Sequence, residues 1–270
     1  MRSLNLAVKA QNISLTRGHH TVINNLTFKI PKHSITRVIG SNGIGKSTTL
    51  KLMAKLISPS NGQLHVNENI GYAPDLLPDN IKMTVSMFLQ SIQDLHKTRH
   101  NTYDWFEYSE MFNITQYKDL KLQNLSKGTL QKVNIIQSLL KNASILILDE
   151  PFSGLDKSSE IQLIKHLQQL STNKTIIYTS HEAEVIPNFA THILNLDDNT
   201  YKSVHSVPSL KTITVPYMSN INELKILNQI NTSNINISND LLTIQVPKSQ
   251  ANKILKALIN QEIEILEVKE

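Results

Sequence analysis

The chain has 270 residues, with 27 basic and 22 acidic side chains, 10 histidines and no cysteine. That length allows one large domain, or one with a small appendage, and a hydrophobic share of 40% excludes whole-chain disorder. The absence of cysteine excludes disulfides, thiolate zinc sites and thiol nucleophiles, and a net charge of +5 without clustering argues against nucleic acid as a partner.

No apolar run approaches the roughly 18 residues needed to cross a bilayer. The N-terminus, MRSLNLAVKAQNISL, lacks the unbroken apolar stretch of a signal peptide. The sequence therefore reads as soluble, suited to a reducing cytosol, with any membrane role supplied through a partner. Glycine is scarce, 8 in the whole chain, so each is expected to serve backbone geometry.

In chain order, residues 1 to about 75 read as short strands: VKAQNIS, NLTFKI and ITRVI, then QLHV and NIGY. Between ITRVI and QLHV lie a glycine-bearing turn and a helical run, KSTTLKLMAKLI, with Leu50, Met53, Ala54 and Ile57 on one face. From about 76 to 141 the pattern is helical, clearest in IKMTVSMFLQSIQDLH. Beyond it, ASILILDE and KTIIYTS read as buried strands separated by the helix SSEIQLIKHLQQL, which implies βαβ units and a mostly parallel sheet. After a linker, VHSVPSLK, the tail from about 206 to 270 shows a β-α-β-β-α-β order, the ferredoxin-like arrangement. Its elements are KTITVPY, NINELKILNQI, INISND, DLLTIQV, KSQANKILKALINQ and EIEILEVK.

Gly40-Ser41-Asn42-Gly43-Ile44-Gly45-Lys46-Ser47-Thr48 matches G-x-x-x-x-G-K-[ST], following a strand and opening a helix as that motif demands. Glycines let backbone N–H groups converge on phosphate oxygens, and the helix N-terminus adds positive potential. Lys46 is expected to reach the β- and γ-phosphates, and the Ser47 hydroxyl to ligate Mg²⁺. Further on, Ile145-Leu146-Ile147-Leu148 ends in Asp149, Glu150 and Pro151. A buried parallel strand delivers its C-terminal residues to the ligand crevice. Asp149 is there placed to hold Mg²⁺ through water, and Glu150 to polarise an attacking water. An ordinary strand followed by an acidic turn would look the same.

Leu125-Ser126-Lys127-Gly128-Thr129-Leu130-Gln131-Lys132-Val133 resembles the LSGGQ signature of ATP-binding-cassette (ABC) ATPases. Ser153-Gly154-Leu155-Asp156 resembles their D-loop, Thr179-Ser180-His181 their switch histidine, and Gly71-Tyr72-Ala73-Pro74-Asp75 sits where their Q-loop belongs. Order and spacing agree across residues 8–200. The resemblance implies a phosphate-loop cassette over residues 1–205, with a parallel-sheet core, an N-terminal antiparallel β part and a helical subdomain at about 76–141. Residues 206–270 would form a small α+β accessory domain.

The family further implies ATP hydrolysis with Mg²⁺, on the cytoplasmic face of the cell membrane, driving a separate transmembrane permease. Two cassettes, expected to be identical, would close head to tail. Each ATP would lie between Lys46 and Ser47 of one subunit and Ser126, Lys127 and Gly128 of the other. His181 would contact the γ-phosphate, and Asp156 would act across the dimer, or else serve as a turn or N-cap residue. Asp75 stands in place of the usual Gln, where metal contact would survive while water positioning is put in doubt. Lys127 replaces a signature Gly, and signatures of this kind with an acidic Q-loop resemble exporters of drugs, lantibiotics and peptides. A regulatory cassette with weak hydrolysis and an importer ATPase are the alternatives. The adenine platform falls near Arg17, whose guanidinium can stack on a base, with a solvated loop as the other reading. Trp105, Phe106, Tyr108 and Phe112 form an aromatic group that is either core or a docking groove.

Overall fold

The structure, a computed structural model, describes residues 5–66, 68–78, 80–96, 104–180, 189–204, 210–217, 235–238, 241–260 and 263–269. The elements in order are β1 (Leu6–Arg17), β2 (His20–Pro31), β3 (Ile35–Ile39), α1 (Lys46–Met53), β4 (Asn61–Val66) and β5 (Ile70–Ala73). Then come α2 (Val85–Leu95), α3 (Trp105–Met111), α4 (Lys127–Leu140), β6 (Ile145–Leu148), α5 (Lys157–Leu170), β7 (Thr175–Thr179), β8 (His192–Asn195) and β9 (Thr200–Ser203). The last are β10 (Leu210–Pro216), β11 (Ile235–Ser238), β12 (Leu241–Pro247), α6 (Lys248–Ile259) and β13 (Glu267–Lys269).

The chain divides into two compact units, Met1–His205 and Ser206–Glu270. In the first, β2-β1-β4 make an antiparallel sheet, and β5-β6-β7-β3-β8-β9 make a second sheet that is parallel except for its edge strand β9. β6 is apolar and β7 buried at every position because both faces of the second sheet are covered. Side chains along β6 alternate between two cores. Ile145 and Ile147 join Leu26, Phe28, Leu50 and Met53, on the side of α1 and the antiparallel sheet. Leu146 and Leu148 join Leu89, Phe112, Val133 and Leu163, on the side of α2 to α5. The result is a mixed parallel and antiparallel β core with a helical part, the architecture expected for residues 1–205.

Two helix ends differ from the sequence expectation. The run KSTTLKLMAKLI stops as a helix at Met53, because Lys55 turns left-handed at φ 58°. Its N–H donates to Leu52 O at 3.0 Å while Leu56 N–H donates to Lys51 O at 3.0 Å. That is the Schellman closure usually built on glycine, so a lysine in this role gives no sequence signal. The run from Ile81 begins as helix only at Val85, where Thr84 Oγ1 accepts from Met87 N–H at 3.3 Å. A side chain that caps locally competes with the helix interior. Strands β8 and β9 are four residues each and were not expected from the sequence.

In the second unit the strand order is β11-β12-β10-β13, all antiparallel neighbours, with α6 contributing Ala251, Ile254 and Leu258 to a core of Ile213, Val215, Leu242, Ile244 and Val246. This order is that of a ferredoxin-like sheet. The expected helix NINELKILNQI and the linker residues 205–209 lie outside the described residues.

Candidate functional site

Residues 40–48 leave the C-terminal end of β3 and enter α1. Gly40, Gly43 and Gly45 have φ of 151°, 80° and 109°, a left-handed path that a Cβ would strain. At Gly40 a Cβ would also meet Ile44 Cγ2 at 2.9 Å and Leu196 Cβ at 3.3 Å. Gly45 is the N-cap of α1, and no side chain caps that helix start. Its first N–H donors are therefore left to another acceptor, and an anion suits them. Lys46 is buried, yet its Nζ stays at the loop, donating to Gly40 O at 2.8 Å and Ser41 O at 3.1 Å. Ser41, Asn42 and Ser47 are exposed, while Ile44 and Thr48 are half-buried. A loop of converging N–H groups, an uncapped helix start and one lysine fit a polyphosphate.

Asp149 and Glu150 follow β6. Asp149 N–H donates to Ala73 O at 2.9 Å, carrying the β5–β6 pairing one residue beyond the strands. Both side chains are buried. Glu150 has φ 49°, a left-handed conformation uncommon for a side chain of this size. Its backbone is held on both sides. Glu150 N–H donates to Thr179 Oγ1 at 2.8 Å, and Glu150 O accepts from Gln131 Nε2 at 3.0 Å. Thr179 Oγ1 in turn donates to Asp149 Oδ1 at 2.8 Å. Asp149 and Ser47 supply hard oxygen donors of the kind Mg²⁺ takes.

A feature that the sequence reading missed runs along α4. Gln131, Asn134 and Gln137 recur every third residue on a helix otherwise rich in buried apolar side chains. Asn134 Nδ2 donates to Gln131 Oε1 at 3.3 Å, and Gln137 Nε2 donates to Asn134 Oδ1 at 3.4 Å. The same amides reach outward to Glu150 O, Pro74 O and Tyr72 O. One helix face thus holds both the acidic strand end and the segment leading to Asp75. The signal was present as a three-residue period of amides on a buried helix. Asp75 itself is exposed. Tyr72 is raised well above the usual phenol range, by burial first and then by the charges of Asp149 and Asp75.

Ser126 is the N-cap of α4, accepting from Thr129 N–H at 3.2 Å and sharing a 2.8 Å bond with the Thr129 hydroxyl. Lys127 is exposed and Gly128 half-buried. A Cβ on Gly128 would collide with the carbonyl oxygen of Gly154, so the start of α4 lies directly on the turn before α5. Asp156 caps α5, accepting from Ser159 N–H at 2.9 Å, Ser158 Oγ at 2.8 Å and Ser159 Oγ at 2.8 Å. Lys132 Nζ joins it at 2.9 Å. That lysine, then the Ser159 and Ser158 donors, hold the Asp156 carboxyl well below the usual carboxylate range.

Arg17 ends β1 and is exposed beside the turn to β2. His181 lies outside the described residues. Of the aromatic group, Tyr108 and Phe112 belong to the core, Trp105 packs against it, and Phe106 is 39% exposed. Among the described residues no helix is long and apolar enough to cross a membrane.

The family model for ABC transporters matches residues 23–153. An uncharacterized ABC transporter ATP-binding protein of Methanocaldococcus jannaschii, MJ1023, is 33% identical over 204 residues, 73% of this chain and 76% of that protein. The zinc import ATP-binding protein ZnuC of Haemophilus ducreyi is 34% identical over 187 residues, 67% of this chain and 69% of that protein. A solved ATP-binding subunit of an ABC transporter superposes with a TM-score of 0.65 at 20% identity, covering 73% of this chain and 90% of the other.

Proposed function

The chain belongs to the ABC transporter ATP-binding family, whose ATPase chemistry it shares, and on that premise we propose that it is the motor subunit for a separate transmembrane permease. The observation that carries this reading is the loop of residues 40–48, with its left-handed glycines, uncapped helix start and returning Lys46. In this proposal the loop N–H groups and Lys46 hold the phosphates of ATP. Ser47, Asp149 and Asp75 hold Mg²⁺, which supplies charge neutralisation to the phosphates. Glu150 accepts a proton from the water that attacks the γ-phosphate, and ADP leaves with phosphate as the second product. His181 contacts the γ-phosphate, and Arg17 stacks on adenine.

Two copies close head to tail in this proposal, with Ser126, Lys127 and Gly128 of one facing the ATP of the other and Asp156 reaching across the interface. Asp156 is already committed to capping α5 and to Lys132, which favours a role in shaping the interface over direct contact with nucleotide. Residues 1–205 form the cassette and residues 206–270 an accessory domain. The pair would sit on the cytoplasmic face of the membrane, held by the permease, with no nucleic acid involved.

Export is the finer reading, resting on Asp75 in the loop after β5 and on Lys127 in the signature. Import is a second reading, favoured by ZnuC relatives at 31–34% identity. Growth of a deletion strain under zinc chelation tests the zinc form of the import reading: a growth defect supports it, and wild-type growth removes zinc as the cargo. The enzymatic proposal is tested with Glu150→Gln, which is expected to bind Mg-ATP with wild-type affinity and lose turnover by about a hundredfold or more. Wild-type hydrolysis by that variant overturns the role of Glu150.

A further inference from the structure

The first turn of the phosphate loop is fastened by a carboxylate just after β8, the strand beside β3. Asp197 lies in the turn from β8 to β9. Its Oδ1 and Oδ2 accept from Ser41 N–H at 3.1 and 3.0 Å, and Oδ1 accepts from Ser41 Oγ at 2.7 Å. The turn that carries it is itself held. Leu196 N–H donates to Ile39 O at 3.0 Å, Asp197 N–H to Asn195 Oδ1 at 3.0 Å, and Asp198 Oδ1 accepts from Thr200 N–H at 3.1 Å. On the opposite side of the same segment, Lys46 takes the carbonyl oxygens of Gly40 and Ser41. The Gly40–Ser41 stretch is thus gripped by its N–H from one direction and by its carbonyls from another.

A negative side chain beside an anion-binding loop is electrostatically adverse, and it withdraws Ser41 N–H from the donors offered to phosphate. What it contributes is order. The loop passes through left-handed glycines, whose freedom must be lost when a ligand binds. Fixing the first turn beforehand lowers that cost. The Ser41 hydroxyl first, and then the Ser41 amide, also hold the Asp197 carboxyl below its ordinary range, so the fastening is intact at neutral pH.

We propose that Asp197 is a positioning residue for nucleotide binding, which holds Ser41 and thereby sets the donors from Asn42 to Ser47. The inference rests on the reading of residues 40–48 as the ATP phosphate site. The test is calorimetric binding of Mg-ATP and steady-state hydrolysis by the full chain and by Asp197→Ala, Asp197→Asn, Ser41→Ala and the double variant Asp197→Ala with Ser41→Ala. Asp197→Ala is expected to raise Kd and KM for ATP about three- to tenfold, with kcat within about twofold. Asp197→Asn keeps an acceptor for Ser41 N–H and is expected to recover most of the loss. Ser41→Ala removes the hydroxyl bond alone, so it weakens binding less and adds nothing in the Asp197→Ala background. Wild-type affinity in Asp197→Ala, an Asn variant as weak as the Ala variant, or additive losses would each overturn the proposal. A wild-type chain that binds no ATP removes the phosphate-site reading itself, and the inference with it.

Discussion

The hydroxyl of Thr179 donates to Asp149 Oδ1 at 2.8 Å while accepting from the N–H of Glu150, also at 2.8 Å. One buried oxygen at the end of β7 therefore orients the first carboxylate and secures the left-handed backbone of the second. Thr179→Val keeps the shape and removes both bonds. It is expected to cost about 1–3 kcal/mol, because a buried N–H and a buried carboxylate oxygen lose their partner. Urea unfolding measures this, and Thr179→Ser should recover most of it. A valine variant as stable as wild type would show that the two bonds are energetically idle.

The amide ladder on α4 predicts a coupled loss. Gln131→Met leaves Glu150 O and Asn134 Nδ2 without their glutamine partner in a buried setting, at about 1–3 kcal/mol. Hydrolysis should fall with it, since Glu150 O loses its side-chain hold and keeps only the Ser153 N–H at 3.1 Å. Equal stability and equal kcat in this variant would remove the ladder from any account of the site.

Asp156 gives a pH signature. Its folded pKa is depressed from 3.8, chiefly by Lys132 and then by the Ser159 donors. A depressed carboxylate contributes stability that is full above its unfolded pKa and fades as pH falls toward the folded one. Asp156→Asn keeps the helix cap and removes the charge. The stability difference between wild type and this variant should hold constant from pH 7 to 5 and shrink below pH 3.8. The Asp156 side chain is 56% exposed, so solvent screening keeps that difference small. A difference that grows on acidification contradicts the assignment.

A chain cut after His205 should fold and bind ATP, because unit Ser206–Glu270 has its own core and contains none of the phosphate-loop, strand-end or signature residues. Circular dichroism and nucleotide calorimetry on the truncated chain check this. A folded truncation that no longer binds ATP would give the accessory domain a direct part in the site.

Docking to a permease is expected through the surface after Asp75. Leu76 and Met87 are 62% and 58% exposed, whereas Leu77 is buried and Met83 is half-buried. Leu76→Glu and Met87→Glu should release the subunit from membranes that contain its permease and leave basal hydrolysis unchanged. Continued membrane binding by both variants moves the docking surface elsewhere.

The turn of residues 40–48 was legible as backbone geometry because its glycines, Gly40, Gly43 and Gly45, sit in one contiguous stretch between a strand and a helix. The acidic strand end and the start of α4 were legible for a similar reason, each being a short local pattern of known geometry. What escaped was held by partners distant in sequence. Thr179 meets Asp149 only through the β6–β7 pairing, and Asp197 meets Ser41 only because β8 lies beside β3. Strands β8 and β9 are too short to establish a period. The early end of α1 depended on Lys55 adopting a backbone angle that its side chain does not advertise. The aromatic group near Trp105 was open between two uses, and its burial divides them, with Phe112 inside and Phe106 outside.

The alternation along β6 makes that strand a partition between two differently built halves. A methylene removed at Ile147 opens a gap toward α1 and the antiparallel sheet, and one removed at Leu148 opens it toward the helical part. Neighbouring letters of the sequence therefore report on separate neighbourhoods. Paired truncations at these two positions, followed by amide exchange, would mark which backbone amides belong to each side, with β6 as the shared wall.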